Sequence, residues 1–319
     1  RQWSYAAQPA GYPSVIRYER VTSQRKQESA VIVGRADLVE LNEGARSLAI
    51  RYPARIHLGL QLATTYASLN TRQPPFTNIK ARQAVNYAID RARILQLYHF
   101  APGQAAPTCQ ILPAGFPDHQ NYCPYTTGAK DGVWHGPDMQ KALRLAKDSR
   151  TTDVPVTVWS PNSFPETAVS AYLVRLLKKL GYRANLHVVS IDRFFAEAEK
   201  SDSKIQISID GWAADFPAPS GFFFPLLSCR SFHQSPTSNS AEFCDPHVDK
   251  LASEALAARL TDPAAARRSW AQVDRIITDQ APYVPFYNGT SAAAFVSSRV
   301  GNYQTSPQYG PLLDQMWVR

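Results

Sequence analysis

The carboxylate of Asp215 and four cysteines carry most of the chemistry this sequence offers. Asp215 lies in the run Gly211-Trp212-Ala213-Ala214-Asp215-Phe216, directly after an apolar segment rich in isoleucine. In an open α/β sheet a carboxylate that follows a strand faces the crevice at the sheet's carboxyl edge, where it can pair with an ammonium group. A charge-assisted contact of that kind contributes about 1.5–3 kcal/mol. The structural alternative makes Trp212 a core residue and Asp215 a cap of the turn from Phe216 to Pro219. The cysteines fall as two close pairs, Cys109 with Cys123 and Cys229 with Cys244, each separated by a polar loop that contains proline. Two local disulfides are expected, as suits a protein of an oxidising compartment. The rival is zinc, because Cys229, His233, Cys244 and His247 form a Cys-x3-His and a Cys-x2-His pair that could converge on one tetrahedral ion.

Catalytic signatures are missing. No P-loop, dinucleotide-binding glycine fingerprint, His-Glu-x-x-His helix or Gly-x-Ser-x-Gly elbow occurs. Ser201 to Lys204 and Ser23 to Lys26 have a Ser-x-x-Lys spacing, but both lie in polar stretches without the partner motifs of a serine acylase. The histidines are scattered at 57, 99, 119, 135, 187, 233 and 247. The reading is a non-enzyme without a cofactor or metal; a hydrolase using Asp215 and a histidine is the weakest alternative. The formal charge of +8 comes from 34 basic and 26 acidic residues spread along the chain. Only Arg17 to Lys26 is locally basic, and a solvated face explains it better than nucleic-acid binding. No apolar run reaches the length of about 20 residues needed to span a bilayer.

The elements that must position Asp215 are legible in the apolar periodicity. Val154, Val156, Val158 and Trp159 predict a strand ended by Pro161. Val169, Leu173, Leu176, Leu177 and Leu180 recur at three and four residues, so a helix is expected from Glu166 to a stop at Gly181. A strand over Ala184–Val189, a short helix over Ile191–Ala198 and a third strand over Ile205–Ile209 follow, a β-α-β-α-β order that implies parallel pairing. Further helices are predicted over Asn78–Leu97, Pro137–Ala146, Pro246–Leu260 behind Asp245, and Pro263–Asp279 behind Asp262; proline in the first turn after aspartate is a strong start signal. Ala101 to Trp134 has several prolines, two cysteines and no period, and reads as a long ordered loop.

Four stretches, taken in order, resemble the extracellular solute-binding protein family 5, which includes the dipeptide, oligopeptide and nickel binders of ABC importers. They are Leu69-Asn70-Thr71 with Pro74-Pro75-Phe76 and Ile79 to Asp90; Gly211 to Phe216 with Pro219 and Phe222; Asn239-Ser240-Ala241-Glu242-Phe243 with Pro246 and Asp249; and Asp262-Pro263 followed by Gln280 to Tyr287 and a terminal strand near Trp317. Gly34-Arg35-Ala36-Asp37 is similar to the family's small-residue-plus-Asp turn. Ala218 departs from the pattern, since many relatives have a second aspartate there.

The resemblance implies a two-lobe α/β fold of the periplasmic-binding-protein type (class II), with the first lobe incomplete in this chain. Residues 1–55 then end the first lobe, 56–288 form the second, and 289–319 return to the first, with crossings near Ile56 to Leu62 and Phe286 to Ser291. It also implies that a small peptide-like ligand binds between the lobes at Trp212, Ala213 and Asp215, with Asn239 a further contact and Asn70 structural. The protein would work outside the cytoplasm and deliver its ligand to the membrane subunits of an ABC importer, held at the membrane by a lipid anchor upstream of Arg1. The alternative function is a ligand-sensing module fused to an upstream regulatory domain.

Overall fold

The structure, a computed structural model, describes residues 12–41, 45–59, 61–116, 119–233, 235–289, 293–307 and 309–319. Residues 1–11, 60, 290 and 291, which belong to the expected first-lobe segment and to the two expected crossings, lie outside the described residues, as do 117 and 118 of the long loop. The chain divides into two compact units, a smaller one of residues 1–62, 98–106 and 289–319 and a larger one of 63–97 and 107–288.

In the larger unit the strands β1 (Ala63–Leu69), β2 (Pro155–Pro161), β3 (Arg183–Val189), β4 (Ile207–Ala213) and β5 (Tyr283–Gly289) lie in the order β5-β1-β4-β2-β3. β2 runs parallel to both β3 and β4, and β1 runs antiparallel to β4. The alternation read in the sequence is met in β2, where Val156, Val158 and Ser160 are fully buried. The helix Glu166–Lys179 covers β2 and β3 with Val169, Leu173 and Leu177 and is followed by Gly181 at φ 95°, a conformation glycine adopts without a Cβ clash.

The third strand differs from its sequence reading. It begins at Ile207, not Ile205, and continues through Gly211 and Trp212 to Ala213. The cause is its partner: β1 pairs with it over seven residues, from Ala63↔Ala213 to Leu69↔Ile207. The backbone of Ile205 instead donates to the Ser203 hydroxyl in the preceding turn (3.2 Å).

The expected helix over Asn78–Leu97 is two helices, Ile79–Ala88 and Arg91–Leu97. Asn78 caps the first through the Lys80 amide, and Ile89 then turns extended (ψ 125°). Asp90 restarts the chain by accepting the Arg93 amide (3.0 Å), while its own N–H donates to the Tyr172 hydroxyl (2.9 Å). The break sends Arg91 into the core with no exposed surface. Its Nε donates to the carbonyls of Thr108 (2.6 Å) and Pro285 (2.8 Å), and its terminal nitrogens reach the Asn86 carbonyl and side chain and the Tyr125 carbonyl. Asp245 and Asp262 cap the helices Pro246–Ala258 and Pro263–Gln280 as expected, whereas the helix expected from Pro137 starts at Met139, because Asp138 caps it by accepting the Lys141 amide.

The long loop is tied to the helix Pro263–Gln280 by side chains. Gln110 donates to the Asp274 carboxyl (2.5 Å) and accepts from the Tyr122 amide, the Tyr122 hydroxyl donates to Asp279 (2.6 Å), and the Tyr125 hydroxyl donates to the Thr278 carbonyl (2.7 Å). Cys109 pairs with Cys123 inside this loop, and Cys229 pairs with Cys244. Both sulfurs of the second pair are thereby spent, and among the described residues no cluster of metal ligands forms.

In the smaller unit, Ala293–Val296 lies between Leu38–Leu41 and Ile56–Leu58, antiparallel to both. Phe295 and Val31, Leu41 and Leu48 form its core, and the Arg55 guanidinium sits 4.4 Å from the Phe295 ring centre. Asp37 of the Gly34–Asp37 element accepts from Arg299 (2.7 Å), which also donates to the Gly34 carbonyl. Among the described residues no helix is long and apolar enough to cross a membrane.

Three predictions follow from these contacts. Mass spectrometry without reductant will show the protein four hydrogens lighter than its reduced form, two for each cystine; free thiols or bound zinc would contradict the pairing. Arg91→Met leaves several buried carbonyls without a donor and will cost about 2–4 kcal/mol in urea unfolding; an unchanged midpoint would show those bonds to be dispensable. Burial pushes the Asp274 carboxyl from 3.8 up to about 7, against the opposing hydrogen bond from Gln110. The folded state therefore keeps a proton that the unfolded chain releases, so this group's contribution is full below about pH 4 and is lost as pH rises to 7. Asp274→Asn will remove that fall, measured as the pH 5 minus pH 8 difference in stability of variant against parent; equal differences would refute the assignment.

Candidate functional site

The pairing of β1 with β4 sets Thr64 opposite Trp212 and Tyr66 opposite Asp210, so alternate residues of β4 share a face. Trp212 is half-buried, and its indole N–H donates to the Gly221 carbonyl in the helix Ser220–Leu227 (2.8 Å). Beyond the strand, the Ala218 amide donates to the Phe216 carbonyl (2.7 Å) and the Gly221 amide to the Ala218 carbonyl (3.0 Å). The Phe216 ring lies against Gly221, where an added Cβ would approach it to 3.4 Å. The bend from Ala213 to Phe216 is thus held at one end by the sheet and at the other by the helix start. Ala213 and Asp215 are exposed on it.

Trp212, Ala213 and Asp215 follow one another at the end of β4 and on the bend after it, a half-buried indole and an exposed carboxylate. Such a pair can stack an apolar group and fix a cation beside it. Asn239 is placed differently. It is fully buried, its amide nitrogen donates to the Phe243 carbonyl (2.8 Å), and its oxygen accepts from the Phe243 N–H (3.0 Å). It organises the segment closed by the Cys229–Cys244 disulfide, the role of an asparagine that favours a turn. Asn70 is likewise structural, buried and bonded to the Ser203 carbonyl and the Glu242 carboxylate.

Asp210 was not singled out in the sequence. It stands two residues before Trp212 on the same face of β4, its carboxylate accepts the Gly211 N–H (2.8 Å), and burial raises it to about 6. The field of its carboxylate in turn raises the tyrosines Tyr66 and Tyr283, beyond what their own burial does. The period of two would have revealed it once the strand's true end was known. His187 packs against Trp159, His57 against Tyr303, and His135 pairs with Asp131.

A family model for bacterial extracellular solute-binding proteins, family 5 middle, matches residues 5–234. The chain is 28% identical over 247 residues to a probable di/tripeptide-binding protein 5 of Pseudomonas aeruginosa, covering 76% of this chain and 44% of that protein. It is 24% identical to the probable ABC transporter periplasmic-binding protein SapA of Escherichia coli, covering 84% of this chain and 47% of that protein. The chain thus spans less than half the length of these curated relatives. Among solved structures, the periplasmic binding protein DppA of Helicobacter pylori in complex with the peptide STSA superposes with a TM-score of 0.77 at 20% identity, over 93% of this chain and 56% of that one. A clavulanic acid biosynthesis oligopeptide binding protein gives 0.79 at 22% identity, over 92% and 54%. These likenesses show the α/β fold of two-lobe periplasmic binding proteins, of which this chain holds a part. With the match covering well over half of its residues, the chain belongs to the bacterial extracellular solute-binding proteins of family 5, a family of transport binders and not of enzymes.

Proposed function

We propose that the protein binds short peptides outside the cytoplasm and delivers them to an ABC importer, with the ligand's amino group paired to Asp215 and its first residue against Trp212 and Ala213. The observation that carries this reading is the exposed carboxylate of Asp215 on a bend pinned at both ends, beside a half-exposed indole. A backbone held at both ends lowers the ordering cost of binding at such a bend. The ligand's side chains contribute less, so a binder of this design accepts many sequences. Two named relatives support the ligand class, one a probable di/tripeptide-binding protein and one a glutathione-binding protein. A lipid anchor in the preceding sequence would hold the protein at the membrane beside its importer. The sensor alternative finds no support among the relatives described.

Native purification followed by release of bound material and mass spectrometry will recover short peptides. Asp215→Ala will bind a recovered peptide about 10- to 100-fold more weakly, the loss of one charge-assisted contact. Recovery of a sugar or a metal chelate, or an affinity unchanged by Asp215→Ala, would overturn the assignment.

A further inference from the structure

The β1–β4 pair has a second end. The register from Ala63↔Ala213 to Leu69↔Ile207 carries the chain about 20 Å from the Trp212 end, at roughly 3.3 Å per residue. There, past Leu69, Thr71 and Arg72 border a cavity of about 370 Å³ within the larger unit. Arg82, Phe232, His233, Glu242 and Gln280 also line it.

Arg82 is the unusual member. It is 6% exposed, its Nε donates to the Gln280 carbonyl (2.9 Å), and Nη1 donates to the carbonyls of Phe76 (2.7 Å) and Thr77 (3.4 Å). Among the described residues no carboxylate forms an ion pair with it, and its second terminal nitrogen has no acceptor. Burial without a counter-ion pushes the guanidinium down to about 10. A buried cation in this condition favours any anion that can reach it.

The other charges of the cavity are already matched. Glu242 is buried and accepts from Asn70 (3.0 Å), and its other oxygen lies 3.7 Å from Arg72 Nε. Asp245, behind Gln280, caps the helix Pro246–Ala258 and accepts the Gln280 amide. Arg72 is 60% exposed, with its guanidinium 4.8 Å from the Phe232 ring centre, which holds the plane of the fork while its terminal N–H groups stay open. With Glu242 balanced by Arg72, the charge of Arg82 remains over.

We propose that this cavity is a binding site for a small oxyanion, a carboxylate or phosphate group, received between the guanidinium groups of Arg82 and Arg72. Two guanidinium groups suit an oxygen pair, and Phe232, Phe243 and Cys244 give the cavity an apolar wall. The site stands apart from the bend at Asp215, so its occupancy is independent of the peptide reading.

The test is a titration of the ¹⁵N-labelled protein with sodium phosphate, followed at the arginine Nε–H resonances, with sodium chloride of equal ionic strength as the control. The Arg82 resonance will shift to saturation with phosphate and not with chloride. Arg72→Ala, which removes an exposed side chain and spares the carbonyl bonds of Arg82, will weaken phosphate about ten-fold, the loss of one bidentate partner, and will leave peptide recovery unchanged. Repeating the titration with sodium acetate separates the sources: tighter acetate identifies a carboxylate ligand, tighter phosphate a phosphorylated one. A shift that never saturates with either anion, one that chloride reproduces, or one unaffected by Arg72→Ala would overturn the proposal.

Discussion

A guanidinium with no surface in water must be solvated by the protein itself, and in the larger unit that requirement falls on Arg91. Its acceptors are carbonyls of Asn86, Thr108, Tyr125 and Pro285, which belong to the first helix, the two ends of the long loop and strand β5. A carbonyl dipole is a weak partner singly, and several converge so that the charge is not orphaned. Placing Arg91 therefore fixes where the loop begins, where it returns and how β5 lies. β5 in turn borders β1, and β1 sets the register of β4 and thus the direction of Trp212.

Other buried side chains of the same unit tie segments together by hydrogen bonds. Gln110 serves Asp274 and the loop at once, and Asn239 bonds both polar groups of the Phe243 backbone. A buried polar group left half-bonded costs more than it contributes, so such networks are completed or replaced. Asp215 lies on the surface of a bend whose backbone is held at both ends. The fold puts its rigidity beneath the carboxylate.

Arg82 shows the opposite case, a buried charge whose partners within the chain leave part of it unmet. Its neighbour Arg91 in sequence has its guanidinium shared among carbonyls on several elements and the Asn86 side chain. Arg82 faces a cavity, and the polar surface there is set by Thr71, Arg72 and Glu242 at the far end of the strand pair. Both arginines look alike in the sequence, as helix residues of the kind that normally point to water.

Local pattern determined much of this protein. The strand Pro155–Pro161, the helix stopping before Gly181, the caps at Asp245 and Asp262 and the pairing of near cysteines all follow from interactions within some fifteen residues, and those interactions are written in the spacing of residue types. The run Gly211 to Phe216 could likewise be read as the end of a strand and a turn from its residues. What tertiary structure decided were the features that depend on a distant partner. The strand at Ile207 reaches Ala213 because Ala63–Leu69 lies alongside it, and the helix after Asn78 breaks at Ile89 because Arg91 has acceptors nearly two hundred residues away. Asn239 is drawn inward by Phe243, and Asp210 becomes a half-buried acid on the face it shares with Trp212. Periodicity reports which face of an element is apolar, but only the fold supplies the neighbour that decides whether a polar side chain is solvated by water or by protein.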